Sequence, residues 1–201
     1  MITWFNNLKT RKKLFGSFFL LTIFLISIAI TGLYSNRIIY NDLEEMYNDQ
    51  LMSIRQVGII QANILSMRSN VDKYLLLNES QQQSRKDMQA DIQKITDAAA
   101  ALESISLTSE AKAELDTFHV AWEEYKHAVD GILVLEDAKK HGMALQAINE
   151  GSLAAQSRNK VINAVERLSE LSIQQAEQSA RRAEDVYQQI TWIMLITGIL
   201  A

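Results

Sequence analysis

The sequence predicts an all-α fold: an antiparallel up-down four-helix bundle, continuous with a transmembrane helix at each end. Three observations carry that prediction. The 201 residues include no proline and seven glycines, which suits long uninterrupted helices and not a turn-rich all-β domain. Charge-free apolar runs occupy residues 14–34 and 190–201. Between them, over residues 35–189, apolar positions recur every three and four residues, the period of an amphipathic helix. A hydrophobic fraction of 48% is enough to fill a core. The absence of cysteine excludes disulfides, thiolate metal sites and a cysteine nucleophile, and a net charge of −4 argues against a nucleic-acid binder.

Residues 1–13 form a short basic segment in which Lys9, Arg11, Lys12 and Lys13 crowd the start of the first apolar run. That run, LFGSFFLLTIFLISIAITGLY at residues 14–34, is 21 residues long, enough at about 1.5 Å per residue to span a hydrocarbon core of roughly 30 Å. It is read as a membrane helix, because a signal peptide would carry an apolar stretch of only about 7–15 residues. The cations before it, against Arg37, Asp42, Glu44 and Glu45 after it, place the N-terminus in the cytoplasm and the following region outside. Charge divides the same way: the segment before the apolar run holds four basic residues, and residues 35–189 hold 16 basic and all 24 acidic ones. The second apolar run, with Trp192 at an interfacial position, is read as the start of a second membrane helix that the sequence cuts short.

Four helical segments are expected between these runs. The first extends over residues 35–77 with a stripe through Leu43, Tyr47, Ile54, Gly58, Leu65, Val71 and Leu75, and ends at Asn78, Glu79 and Ser80. The second carries Met88, Ile92, Ile95, Ala99 and Leu102. After a break at SISLTS, Thr108 or Ser109 can cap the third, which aligns Leu115, Phe118, Trp122, Tyr125, Val129 and Ile132. Gly142 in KKHG is expected to take the left-handed closing conformation. Gly151 and Ser152 then provide a stop and a cap for the fourth, whose inward positions are Leu153, Ser157, Val161, Ala164, Val165, Leu168, Leu171, Gln175, Ser179, Ala183 and Val186. Short connections make neighbours antiparallel. The first helix should rise roughly 65 Å and the second descend about 40 Å, so the first and last helices extend as a pair beyond the middle hairpin. A second apolar strip on the first helix, Met46, Val57, Ile64 and Val71, is wider than one seam requires, which favours a homodimer over one broad face serving a single core.

KTRKKLFGSFFLLTIFLISIAITGLY, SMRSNVDKYLLLNES and EGSLAAQSRNKVINAVERLSEL, in this order across the chain, resemble the sensory half of methyl-accepting chemotaxis proteins and their four-helix-bundle ligand-binding domain. The same bundle occurs on sensor histidine kinases and diguanylate cyclases. The resemblance implies a periplasmic sensor domain in the bacterial inner membrane, a small organic acid, amino acid or ligand-loaded binding protein as partner, and a small displacement of the last helix as the signal. Amino-acid-binding members carry several arginines on the first helix, whereas Arg68 is the one convincing match here.

Helix arithmetic locates a candidate site. Arg68 lies 34 residues beyond Tyr34, and counting the same distance back from Gln189 places residues 153–158 level with it. Gln61, Arg68 and Asp72 share one helix direction at steps of seven and four, expected to point inward; Ser157 points in and Arg158 flanks the seam. Guanidinium groups beside a hydroxyl suit a carboxylate, which they can grip bidentately. Arg68 and Asp72, at i and i+4, can instead neutralise one another. His119, Glu123 and His127 have ligand chemistry but fall away from the apolar stripe and are read as a solvated row; Trp122 and Tyr125 are read as core. Neighbouring carboxylates such as Glu44 with Glu45 point apart, and no GxSxG, phosphate-loop or dinucleotide fingerprint occurs, so neither an enzyme nor a cofactor is expected. Two function classes remain, a transmembrane sensor and a membrane-anchored dimerisation scaffold. Polar Gln175, Gln178, Ser179 and Arg182 favour the sensor, since a weakly packed seam can hold two arrangements of similar energy.

Overall fold

The computed structural model describes residues 10–200, with the side chains of residues 42, 43, 45–48, 78 and 197–200 excepted. The expectations for Lys9, for residue 201 and for the side chains of Leu43, Met46 and Tyr47 therefore lie outside the described residues. The described chain is all-helical, consistent with a four-helix bundle. Helix α1 is Thr10–Glu45 and a π-helical turn covers Met46–Leu51; α2 is Met52–Leu76, followed by a 3₁₀ turn at Asn78–Ser80. Then come α3 (Gln81–Glu103), α4 (Ser109–Asp137), the short α5 (His141–Ile148) and α6 (Leu153–Leu200). The chain divides into two compact units, one of Met1–Glu45 with Gln178–Ala201 and one of Met46–Glu177.

In the first unit, one helical stretch among the described residues, Thr10–Asn41, is long and apolar enough to cross a membrane. Its Phe15, Phe18, Phe19 and Leu33 are exposed, as side chains meeting lipid would be. The hydroxyls of Thr22 and Thr31 donate to the carbonyls of Phe18 and Ser27 four residues back, at 2.8 and 2.9 Å. Each of these two hydroxyls is thereby paired with its own helix, which lowers its cost in hydrocarbon. The apolar end of α6 does not reach membrane-spanning length and hydropathy within the described residues.

Cross-helix bonds fix the directions in the second unit. Asn70 on α2 donates to Asp91 on α3 at 2.9 Å, and Arg85 bonds both Tyr74 and Asp137 on α4 at 2.7 Å. Ser53 and Ser172 share a 2.6 Å hydroxyl contact between α2 and α6, and Lys160 reaches Glu124 on α4 at 2.7 Å. Residue numbers rise on α2 as they fall on α3 (70 with 91, 74 with 85), on α3 as they fall on α4 (85 with 137, 103 with 119) and on α2 as they fall on α6 (53 with 172, 68 with 158 across one cleft), so these pairs pack antiparallel. The interior is built from Ile60, Ile64 and Met67 of α2, Ile95 and Leu102 of α3, Phe118 and Ile132 of α4, and Leu168 of α6, all fully buried. Each such side chain contributes about 1.5–3 kcal/mol by leaving water.

Three local expectations are corrected. On α2 the strip through Val57, Ile64 and Val71 faces the unit's own core, whereas Gly58 and Leu65 of the expected main stripe are exposed and Ile54 is half-buried. Both strips have helical spacing, so periodicity could not say which one turns inward. The intervening π turn, which fits one more residue than an α-turn, also breaks the phase carried over from residues 43 and 47. Leu153, expected inward, is 80% exposed. The left-handed residue closing α4 is Lys139, at φ 58°, and not Gly142, which lies inside α5. The Lys139 and Lys140 amides donate to the carbonyls of Glu136 and Leu135 at 2.8 and 2.9 Å, the paired bonds of a Schellman closure. Elsewhere the expected punctuation holds: the Thr108 hydroxyl accepts from the Ala111 amide, Gly151 takes φ 92°, and Ser152 caps α6 through the Ala155 amide.

Candidate functional site

The antiparallel run of α2 and α6 brings Arg68 level with the first turns of α6, as the count predicts. Arg68, Val71 and Asp72 of α2, Tyr125, Val129 and Ile132 of α4, Ile148 of α5, and Ala154, Ala155 and Arg158 of α6 line a cleft of about 140 Å³. Ala154 and Ala155 leave room where larger side chains would close the gap between α6 and α4.

Three charges meet there. Arg68 is exposed, and Asp72 and Arg158 are half-buried, so Arg68 stands at the rim and not within an inward stripe. Among the described residues no ion pair or hydrogen bond joins Arg68 or Arg158 to Asp72. The Nε of Arg158 is enclosed and has no hydrogen-bond partner among the described residues, a costly state for a buried donor on a cation. Tyr125 reports the same field: burial pushes its phenol up to about 12, Arg158 and Arg68 pull against that shift, and Asp72 adds to it. Both guanidinium groups therefore act on one point in the cleft. With one carboxylate against two guanidiniums, the lining carries an excess positive charge, and a small anion can be held there by forked hydrogen bonds.

The five residues expected at this site separate. Arg68, Asp72 and Arg158 come together. Gln61 is half-buried and does not line the cleft. Ser157 is buried, donates to the Leu153 and Ala154 carbonyls at 2.8 and 3.2 Å, and lies on the opposite side of α6. With its proton committed to its own helix, the hydroxyl has none to donate to a carboxylate. Tyr125 was missed because its place on an apolar stripe reads as core; matching heights on α4 as well as α6 would have found it. The His119, Glu123 and His127 row does not converge: His119 stands 2.9 Å from Glu103, and Glu123 holds Lys126 at 2.7 Å.

A helical unit with a cationic cleft, on a chain that also holds a helix of membrane-spanning length, has the make-up of a sensory input domain. The chain belongs to the four-helix-bundle sensory modules for signal transduction found on chemotaxis receptors, whose family model matches residues 7–187. No curated protein and no solved structure matches it.

Proposed function

We propose that this chain is the input module of a transmembrane chemoreceptor, binding a small carboxylate between α2 and α6 outside the cytoplasm and signalling through α6. The observation that carries this proposal is the pair of guanidinium groups, Arg68 and Arg158, that line one cleft without a carboxylate bonded to either. The cleft volume of about 140 Å³ lies below the common range of ligand pockets, about 300–1,000 Å³. It therefore suits a compact organic acid, or the acid end of a larger one. The module acts by binding and not by catalysis.

Transmission along α6 is supported by its continuity from Leu153, beside the cleft, to Leu200. A ligand that bridges α2 and α6 shifts α6 as far as it binds one setting better than the other. The N-terminal basic segment and the Thr10–Asn41 span support a multi-pass inner-membrane protein with the bundle in the periplasm, the apolar end of α6 entering a second membrane helix. A homodimer is supported by the outward face of α2, where Gly58, Leu65 and Leu76 are exposed, and by exposed Leu51 just before it. This replaces the strip first expected to meet the partner, whose Val57, Ile64 and Val71 are buried in the bundle's own core.

A thermal-shift screen of the full chain in detergent against mono- and dicarboxylates tests the proposal. At least one acid should raise the melting temperature of the wild type, and Arg68→Ala and Arg158→Ala should each remove that rise. Stabilisation of both variants to the wild-type extent would overturn the site.

A further inference from the structure

On the side of α6 away from the guanidinium cleft, α4 and α6 leave a second opening, a groove of about 840 Å³. Alternate residues of the same two turns of α6 serve the two openings: Ala155 and Arg158 line the cleft, Leu153, Gln156, Ser157 and Lys160 line the groove, and Ala154 borders both. The small Ala128 and Gly131 of α4 line the groove together with Ile132 and Leu135. A Cβ placed on Gly131 would meet nothing within 4 Å. Leu153, a large apolar side chain at the rim, is 80% exposed.

At one end Glu124 and Lys160 pair at 2.7 Å beside exposed His127, whereas Gln156 and Ser157 farther along commit their donors to the backbone carbonyls of Gly151, Leu153 and Ala154. Because the pair cancels its own charge, that end offers hydrogen bonds without a net attraction for an anion. The volume falls within the range of sites for single small molecules, and an apolar body with one polar end matches the lining. This differs in both size and charge from the cleft.

We propose that the groove between α4 and α6 binds a neutral small molecule with an aromatic or aliphatic body and one hydrogen-bonding end. Its occupant grips the turns of α6 that also border the cleft, so the module has a second input independent of the carboxylate site.

Ligand-observed ¹⁹F line broadening with 4-fluorobenzyl alcohol, using the full chain in detergent, tests this by comparing wild type with Gly131→Leu. The leucine fills open space and favours the helix over glycine, so the variant folds, and the difference between two proteins in the same micelles removes partitioning of the probe. Binding should be about tenfold weaker or absent in Gly131→Leu and unchanged in Arg158→Ala, which disables the cleft alone. Equal broadening by wild type and Gly131→Leu would overturn the proposal. So would loss of the effect in Arg158→Ala, or a change in oligomeric state on Gly131→Leu, which would make a second copy of the chain the occupant.

Discussion

The two ends of the Met46–Glu177 unit are held by different forces. Toward Tyr74, the side chains of Tyr74, Leu75, Met88 and Ile132 are buried and the Tyr74–Arg85–Asp137 cluster ties three helices. The aromatic interior leads up to that end from beside Glu103, where α3 closes: Phe118 and Trp122 lie stacked with centroids 6.4 Å apart and Tyr125 packs 6.0 Å beyond. Arg85 also stands 5.3 Å over the Tyr74 ring, and the hydrogen bonds of Tyr74 and Arg85 hold the Asp137 carboxyl below its ordinary range. Toward Ser53, the polar groups of Gln50, Ser53, Gln56 and Ser172 are buried beside Val57 and Leu168, and a hydroxyl contact joins Ser53 and Ser172. Apolar burial is worth several times a neutral hydrogen bond, which nets about 0.5–1.5 kcal/mol. The interior from Phe118 up to Tyr74 is thus the firmer part, and the Ser53 end, with its buried polar groups, the softer one. The proposed signalling through α6 draws on both.

The difference can be tested by removing each kind of contact. Phe118→Ala empties a fully buried site and should destabilise the chain by about 3–5 kcal/mol, read from denaturant unfolding followed by circular dichroism. A loss below about 1 kcal/mol would show that the aromatic interior is not the anchor.

Alkaline pH should produce the next largest effect. The Tyr125 phenol is pushed up to about 12 in the folded chain, chiefly by burial, against about 10 when unfolded. Its neutral form is therefore favoured by folding. The contribution is fully present below pH 10 and is lost as pH rises through about 12, a loss of roughly 2–3 kcal/mol. Tyr125→Phe should remove that part of the pH dependence, and a profile identical to wild type between pH 10 and 12 would contradict the assigned burial.

Smallest of all is the serine contact. Ser172→Ala alone should cost about 1 kcal/mol, while Ser53→Ala with Ser172→Ala should be nearly neutral, because no unpaired hydroxyl is left inside. A double variant several kcal/mol less stable than wild type would show that the Ser53 end is as firmly built as the other.

Much of this architecture was legible because local signals and tertiary packing agree. The breaks at Asn78–Ser80 and Thr108, the Gly151–Ser152 stop and cap, and the α4 stripe from Leu115 to Ile132 all stand where propensity and periodicity place them. The inward face of α2 was not legible. Ile54, Gly58 and Leu65 repeat as regularly as Val57, Ile64 and Val71, and a helix that buries one face and leaves another apolar does not reveal from sequence which is which. The π turn at Met46–Leu51 has no residue signal in MYNDQL that foretells it. At the site, rise per residue was enough to bring Arg68 and Arg158 together, since antiparallel helices have little freedom of height once their connections are short. Direction about the axis was the weaker guide: it rightly turned Ser157 and Tyr125 inward, but it also turned Arg68 inward, which is exposed at the rim, and it did not show that the Ser157 hydroxyl bonds its own helix or that Tyr125 also lines the cleft.

Amide hydrogen exchange on the intact chain in detergent, resolved by peptide, measures the graded interior most directly. Peptides covering residues 122–132 should exchange most slowly in the Met46–Glu177 unit, and those covering residues 46–56 and 168–177 should exchange faster by at least tenfold, the ratio that about 1.4 kcal/mol of local stability corresponds to. Equal protection at the two ends, or greater protection around Ser53 and Ser172, would contradict the account.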